Sequence, residues 1–449
     1  MVNVFTDKIP NYVKSICETL NKAGFLGYVV GGALRDIALG LTPKDFDVAT
    51  DASPDQIESL FEHTIPTGRR FGTITVVLDK KFTVEVTTFR KNAKYADKLS
   101  EDLAHRDFTI NAIAYDPIKN IIYDPFNGLQ DIKSKTLKTV GSAVERIRED
   151  PLRMMRAIRF KVDKGFTIIT DTLSQAIKEN AHLVNNVSKE RIADELCKII
   201  MAKDPTQGIY DLLQLNLLKY ILPELQACVG VQQRSDHKYD LFGHLAHALK
   251  YAEEDLIVRL TVLLHDIGKT VTYSADESGT IHFYNHAEES AKIAFNILER
   301  LKFSNYIKNS VAQLIRHHMR KVRGSDRKLR YLMSSLGTRE QAIRFAKVRF
   351  ANRMGRGGNF TEEYTEYQNL LSRMEIIWKK KYPLKVSDLK INGKDVLECL
   401  GIEPGPIVGI ILDEILKRVL HHPELNHHEK LIDLIPEIYE KVLKKIGDK

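Results

Sequence analysis

Apolar positions recur along this chain in two rhythms. In the first third, short β-branched runs alternate with turns. Tyr12, Val13, Ile16 and Leu20 stand at helical spacing and predict an amphipathic helix over 11–25, leading into the run Tyr28–Val30. β-type runs follow at Thr73–Leu78 and Phe82–Thr88, with Asp79-Lys80-Lys81 as their turn, and again at Ile110–Tyr115 and Ile121–Tyr123. From Ser142 onward the spacing is helical to the end, apart from brief strand-like runs such as Phe166–Ile169. The pattern predicts a small α+β domain followed by an all-helical remainder. At 449 residues the chain exceeds one compact core, so two to four domains are expected. The patch Gly355–Gly358 reads as a mobile loop or a boundary.

Candidate chemistry gathers where the first rhythm breaks. Gly31-Gly32-Ala33-Leu34-Arg35-Asp36 follows the buried run, so the two glycines fall where backbone approaches something closely, and a phosphate is the natural candidate. If a helix begins there, its free N–H groups and Arg35 converge on one anion, whereas the plain reading of Arg35-Asp36 is a solvated pair. In Asp45-Phe46-Asp47-Val48, strand alternation would put Asp45 and Asp47 on one face. Two hard oxygen ligands side by side suit Mg²⁺. Glu85, between Val84 and Val86, is either a third acid near the metal or the solvent-facing residue of a half-buried strand, the plainer of the two readings.

Further polar clusters follow. In His105-Arg106-Asp107-Phe108-Thr109-Ile110-Asn111, the polar residues either cap local structure or let Arg106 and Asp107 meet phosphate and ribose. Asp150-Pro151 reads as an N-cap and first helical residue, ahead of a stripe Arg153, Arg156, Arg159 flanked by apolar Leu152, Met155 and Ile158. The stripe is a solvated face, or Asp150 and Arg153 face a base edge while Arg156 and Arg159 hold phosphates. His265-Asp266, with His244, His286 and the pair His317-His318, has the look of a divalent-metal ligand set.

Composition narrows the setting without changing it. A net charge of +8 is compatible with a polyanionic partner. Cys17, Cys197, Cys228 and Cys399 lack CxxC spacing, which argues against a zinc knuckle or a disulfide framework. No apolar signal core stands in Met1–Pro10 and no run approaches the ~20 residues that span a bilayer, so a cytoplasmic protein is expected.

Together these stretches resemble the bacterial tRNA nucleotidyltransferases of the class that includes CCA-adding enzymes and poly(A) polymerases. GGALRDIALG with DFD resembles the family's first motif, HRDFTINAIAYD the second, DPFNGLQDI the third, EDPLRMMRAIRF the fourth and Ser188–Ile192 the fifth. The block 244–318 is similar to the HD-type domain that some members carry, and Asn392–Val396 with Pro404-Gly405-Pro406 to their C-terminal tail. The resemblance implies an α+β fold: a polymerase-β-like mixed-sheet nucleotidyltransferase domain followed by an elongated all-α body. It implies a head at 1–140, a neck at 141–230 for the base and RNA, an HD-type domain at 231–360 and a tRNA-binding tail at 361–449.

By the same resemblance Asp45 and Asp47 are catalytic and hold Mg²⁺, and Gly32 and Arg35 contact the triphosphate. Arg106 contacts the nucleotide and Asp107 selects ribose. Asp150 and Arg153 pair with the base of CTP or ATP, and Arg156 and Arg159 complete the nucleotide site. His244, His265, Asp266 and His286 are candidates for a second divalent metal. The implied partners are tRNA, CTP and ATP, with no membrane and no obligatory protein partner. Two departures matter. Only Lys91–Ser100 separates Arg90 from Glu101, a shortening that resembles enzymes adding two cytidines alone, so CC addition stands beside full CCA addition. Asn352 stands where a last HD aspartate would be, which weakens the rival reading of a metal-dependent phosphohydrolase as the main activity. A non-catalytic RNA scaffold is disfavoured because Asp45 and Asp47, which repel without a cation, are both present. Cationic stretches at Arg316–Arg330 and Lys379–Lys381 either track RNA phosphates or form solvated helix surface.

Overall fold

The computed structural model describes residues 2–78, 82–91, 94–95, 99–168, 170–233, 238–277, 280–322 and 324–447. The expected turn at 79–81, and residues 92, 93 and 96–98 of the shortened segment, lie outside them. Contacts divide the chain into two compact units, Met1–Ile221 and Leu222–Lys449, each taken here by itself.

In the first unit, helix α1 (Asn11–Lys22) buries Val13, Ile16, Cys17 and Leu20, the apolar stripe expected of it, and ends three residues earlier than the spacing suggests. Strand β1 (Tyr28–Val30) leads into helix α2 (Gly32–Ala38), whose first turn is set by Gly31 at φ +75°, a left-handed conformation that a side chain would strain. Strand β2 (Asp47–Thr50) and helix α3 (Pro54–Leu60) follow, then β3 (Thr64–Gly68), β4 (Thr73–Leu78), β5 (Phe82–Thr88), β6 (Ala114–Asp116) and β7 (Ile121–Tyr123). These form one seven-stranded sheet in the order β3-β4-β5-β2-β1-β6-β7, antiparallel except for the β2–β5 pair, so the sheet is mixed.

Register decides what each face carries. Val29, Val48, Val86 and Ile74 are cross-strand neighbours and all buried, which makes them a continuous apolar row worth roughly 1.5–3 kcal/mol per side chain. The adjacent row, Val30, Asp47, Glu85 and Thr75, points to the opposite face by strand alternation. The polar residues of the candidate site are therefore placed by the same register that builds the core.

Two expectations change here. The run Ile110–Tyr115 is not one strand but a 3₁₀ turn, Thr109–Asn111, followed by β6. Side-chain bonds compete with the ladder: the Thr109 hydroxyl donates to Asp131 at 2.6 Å and the Asn111 amide is drawn into a polar cluster. Asp45 also lies outside a strand, because β2 begins at Asp47. Strand β3 and helix α3 were not foreseen; β3 is an edge strand with an exposed middle and no apolar alternation.

Beyond the sheet, helix α4 (Arg153–Lys164) buries Met154, Met155, Ala157, Ile158, Phe160 and Val162, and helix α5 (Lys189–Ile200) packs against it. Asp150 ends the preceding helix, Ala143–Glu149, and accepts from the Leu152 amide at 3.2 Å, so α4 starts two residues after Pro151 rather than at it. In the second unit, helices α6 (Leu241–Leu249), α7 (Leu256–Leu264), α8 (His286–Arg300), α9 (Asn305–His317), α10 (Arg339–Gly355) and α11 (Phe360–Lys379) pack around the buried histidines. The glycine patch ends α10 and turns directly into α11, which packs back on it. A separate apolar core, including Val396, Ile411, Ile415, Leu431 and Ile435, holds the C-terminal helices together.

The DPFNGLQDI stretch braces the 3₁₀ turn. Asp124 caps the Gly128 and Leu129 amides, and a Cβ on Gly128 would overlap the Thr109 carbonyl. Gly128→Ala should therefore cost about 1–3 kcal/mol in urea unfolding of the full chain, by displacing backbone rather than a mobile side chain; an unchanged midpoint would contradict this close approach.

Candidate active site

Three acids converge where β1 ends. Asp47 sits in register with Val30 on one side and with Glu85 on the other, and Asp45 precedes it at an exposed position. Burial, then the charges of Glu85 and Asp45, push the Asp47 pKa up to about 6 against the opposing effect of Arg106. Glu85 is exposed, as its plain reading has it, and its charge nonetheless acts on Asp47. Parallel pairing of β2 with β5, invisible in a single sequence, is what brings them together.

Beside the acids lies a basic cluster. The Arg106 guanidinium lies against Gly31, reaches Asp102 at 3.3 Å and donates to the Asn111 carbonyl at 3.4 Å. Gly32 opens α2, as the sequence suggested, but Arg35 is not a solvated pair with Asp36. Arg35 is 8% exposed and donates to Asp36 (2.8 Å) and to Asn111 Oδ1 (2.7 Å). Its guanidinium stands 4.9 Å from the Phe160 ring, which Arg159 (4.6 Å) and Arg156 (5.6 Å) also approach. Arg156 and Arg159 lean on Glu195, a buried acid of α5 at 3.9 and 3.1 Å. Burial lowers the Arg159 pKa, and the like charges of Arg156 and Arg35 add to it despite Glu195. The arginine stripe is therefore an enclosed positive cluster, not a solvated face.

Asp107 is the acid this cluster encloses. One oxygen accepts from Arg156 Nε (2.9 Å) and Nη2 (2.6 Å), the other from Asn111 Nδ2 and the Phe108 amide, both at 2.8 Å. Burial alone would raise its pKa, but Arg156, Asn111 and the amide outweigh it and hold it below the usual carboxylate range. All four lone-pair directions are occupied, so a ribose hydroxyl would have to replace one of these donors. At the head of α4, Asp150 pairs with Arg191 at 2.8 Å, and Arg153 donates to Glu149 and to the Arg146 carbonyl, both at 2.9 Å. Arg191 and Glu195 both belong to the helix opened by the fifth motif, the signal that was available for them.

The second unit gathers its histidines at one point. His244, His265 and Asp266 bring ligand atoms within 4.8 Å of one another, as do Asp266, His286 and His318. Asp266 Oδ2 faces His265 (3.4 Å) and His244 (3.7 Å), and Oδ1 faces His318 (3.1 Å) and His286 (3.4 Å). His318 joins the four expected ligands, whereas the neighbouring His317 does not. Lys269 also reaches Oδ2, at 2.7 Å. Asn352 is buried, with its side-chain oxygen accepting from Arg356 at 3.2 Å. Of the cationic stretch, Arg316 is exposed and pairs with Glu288, whereas Arg330 is buried and donates to the Leu420 carbonyl.

Three regions match known family profiles: the poly A polymerase head domain over 27–138, the "Probable RNA and SrmB- binding site of polymerase A" over 165–228, and the HD domain over 239–371. The chain is 32% identical over 457 residues to a CCA-adding enzyme of Ligilactobacillus salivarius, covering 98% of this chain and 100% of that one. The chain belongs to the CCA-adding enzyme family. It is also 31% identical to the CCA-adding enzyme of Anoxybacillus flavithermus over 93% of this chain and 94% of the relative. The crystal structure of the Bacillus stearothermophilus CCA-adding enzyme in complex with CTP superimposes with a TM-score of 0.74 at 28% identity, covering 96% of this chain and 98% of that one. No described helix is long and apolar enough to cross a membrane.

The buried histidines make acid stability a direct probe of this family member's second unit. Burial lowers the His244 pKa from 6.5 to about 4 and holds that of His265 well below 6.5, so below pH 6.5 the unfolded chain takes up protons that the folded one refuses. Chelator-treated protein should lose unfolding free energy steadily from pH 6.5 toward pH 4; a flat profile there would show that these rings are not buried neutral.

Proposed function

We propose that this chain is a template-independent tRNA nucleotidyltransferase that adds CCA from CTP and ATP to the tRNA 3′ end, releasing pyrophosphate. The observation that carries the reading is the row of acids around Asp47 with Arg106 beside it, in the same unit as the arginine cluster around Phe160, the acids suited to a cation and the arginines to a polyphosphate. Full CCA addition is favoured over two cytidines alone by the name of the end-to-end relatives, which equally gives no support to hydrolysis as the main activity.

Asp45 and Asp47 are the residues that hold Mg²⁺, with Glu85 alongside. Burial, with the like charges of Glu85 and Asp45, pushes Asp47 to about 6; a hard divalent cation relieves both, and carboxylate oxygens are the donors it prefers. The ion, when bound, neutralises charge on the attacked phosphate and makes the tRNA 3′-hydroxyl easier to deprotonate. The chain supplies the rest. The free amides of α2 at Gly32 and the guanidinium of Arg35 anchor the triphosphate, and Arg106, Arg156 and Arg159 surround the nucleotide. Asp107 reads the ribose by exchanging one of its present donors for a hydroxyl. Asp150 and Arg153 exchange Arg191 and Glu149 for the edge of the base, so acceptor and donor groups of the protein take the place of a nucleic-acid template. The domain limits 1–140, 141–230, 231–360 and 361–449 fit this division of labour, with tRNA held by the helical parts.

A tRNA lacking its last three nucleotides should accept two CMP from CTP alone and one AMP once CC is present; refusal of ATP on a CC end would reduce the activity to cytidine addition. Asp47→Asn should lower CMP incorporation about a hundredfold or more. Its melting temperature should hold or rise, because an acid with a raised pKa destabilises the fold when ionised. Incorporation at the wild-type rate would remove Asp47 from the chemistry.

The second site binds a divalent transition metal through His244, His265, Asp266 and His286, joined by His318. Imidazoles around one carboxylate are the donor set such ions prefer, and the buried His286 Nε2 lies 3.4 Å from Asp266 Oδ1. Protein purified without chelator should carry metal by mass spectrometry, and Asp266→Ala should lose it. Equal metal content in the two proteins would exclude the site.

A further inference from the structure

Asn111 occupies a place in the polar cluster that the chemistry above does not use. It is 6% exposed on the 3₁₀ turn, its Oδ1 accepting from Arg35 Nη1 at 2.7 Å and its Nδ2 donating to Asp107 Oδ1 at 2.8 Å. Asp107 in turn holds Arg156 through both Nε and Nη2. Four side chains thus join α2 to α4 in an unbroken series: Arg35, Asn111, Asp107, Arg156. A second link closes at the far end of α4, where Lys164 lies 3.5 Å from Asp36 Oδ2 and Asp36 Oδ1 receives Arg35.

We propose that Asn111 is a positioning residue that sets the distance between the phosphate end of the nucleotide site, at the N-terminus of α2, and its base end, at the head of α4. The inference rests on the nucleotidyltransferase reading and adds a residue to it. A primary amide suits this link because it accepts and donates at once without charge. A carboxylate there would keep Arg35 but face Asp107 with a like charge; an apolar side chain would leave both Arg35 and Asp107 with an unmade buried bond. CTP and ATP span the same distance from triphosphate to base, so a spacing fault should weaken both alike. Inorganic tripolyphosphate touches only one end and should not register it.

The test uses full-length protein carrying Asn111→Leu or Asn111→Asp, with dissociation constants measured for CTP, ATP, tripolyphosphate and tRNA. For either variant, both nucleotides should bind about tenfold more weakly, in the same proportion. For Asn111→Asp, which keeps the Arg35 contact, tripolyphosphate and tRNA should stay within about twofold of wild type. Should Asn111→Leu not fold, Asn111→Asp, which retains the size and the Arg35 contact, carries the test. Unchanged nucleotide affinity, an equal fall for tripolyphosphate, unequal losses for CTP and ATP, or a parallel fall for tRNA would each overturn the role. Failure of the wild-type protein to incorporate CMP would instead overturn the nucleotidyltransferase reading, which this binding assay does not measure.

Discussion

Enclosing several arginines in one place is costly unless acids are enclosed with them, and that constraint shapes the first unit. Arg35, Arg156 and Arg159 share the Phe160 ring, and each leans on a buried or nearly buried acid: Asp36, Asp107 and Glu195. The acids come from α2, from the turn after α2's neighbour Arg106, and from α5. Removing one partner would strand a charge in low dielectric, which costs far more than an exposed pair gains. The cluster therefore fixes three elements together and sets the positions of the guanidiniums before any ligand arrives, the condition for electrostatic preorganisation.

The two polar centres of the chain use opposite solutions to burial. Near Asp47 burial and then the crowded like charges of Glu85 and Asp45 raise the pKa, a cost that a cation would relieve. In the second unit burial keeps His244 and His265 neutral, and the histidines are ranged about one carboxylate, Asp266, which their contacts and Lys269 hold well below its usual range although burial works against it. The first arrangement suits a hard ion shared with phosphate oxygens, the second a softer ion held by nitrogen.

Periodicity made the strands at Thr73–Leu78 and Phe82–Thr88, the helix after Asn11 and the long helical remainder legible, because each repeats one signal over many residues. What escaped it was set by tertiary partners. Glu85 reads as surface and is exposed, but its place beside Asp47 comes from parallel pairing with β2. The Ile110–Tyr115 run reads as strand, yet Thr109 and Asn111 spend their side chains on Asp131, Arg35 and Asp107 and bend it. Edge strand β3 carries no alternation to read. Arg35-Asp36 looks like a surface pair in sequence, and only the approach of α4 encloses it. Motif order, by contrast, pointed to the family because it does not depend on any one contact.

The central claim is that base choice is made by protein groups at the head of α4. It is tested most directly by the ratio of CMP to UMP incorporation into tRNA, measured in parallel for wild type and for Arg153→Ala. Protein-based reading predicts that the variant still releases pyrophosphate on incorporation while its preference for CTP falls about tenfold or more, the worth of one good base contact. An unchanged preference at reduced rate would contradict it.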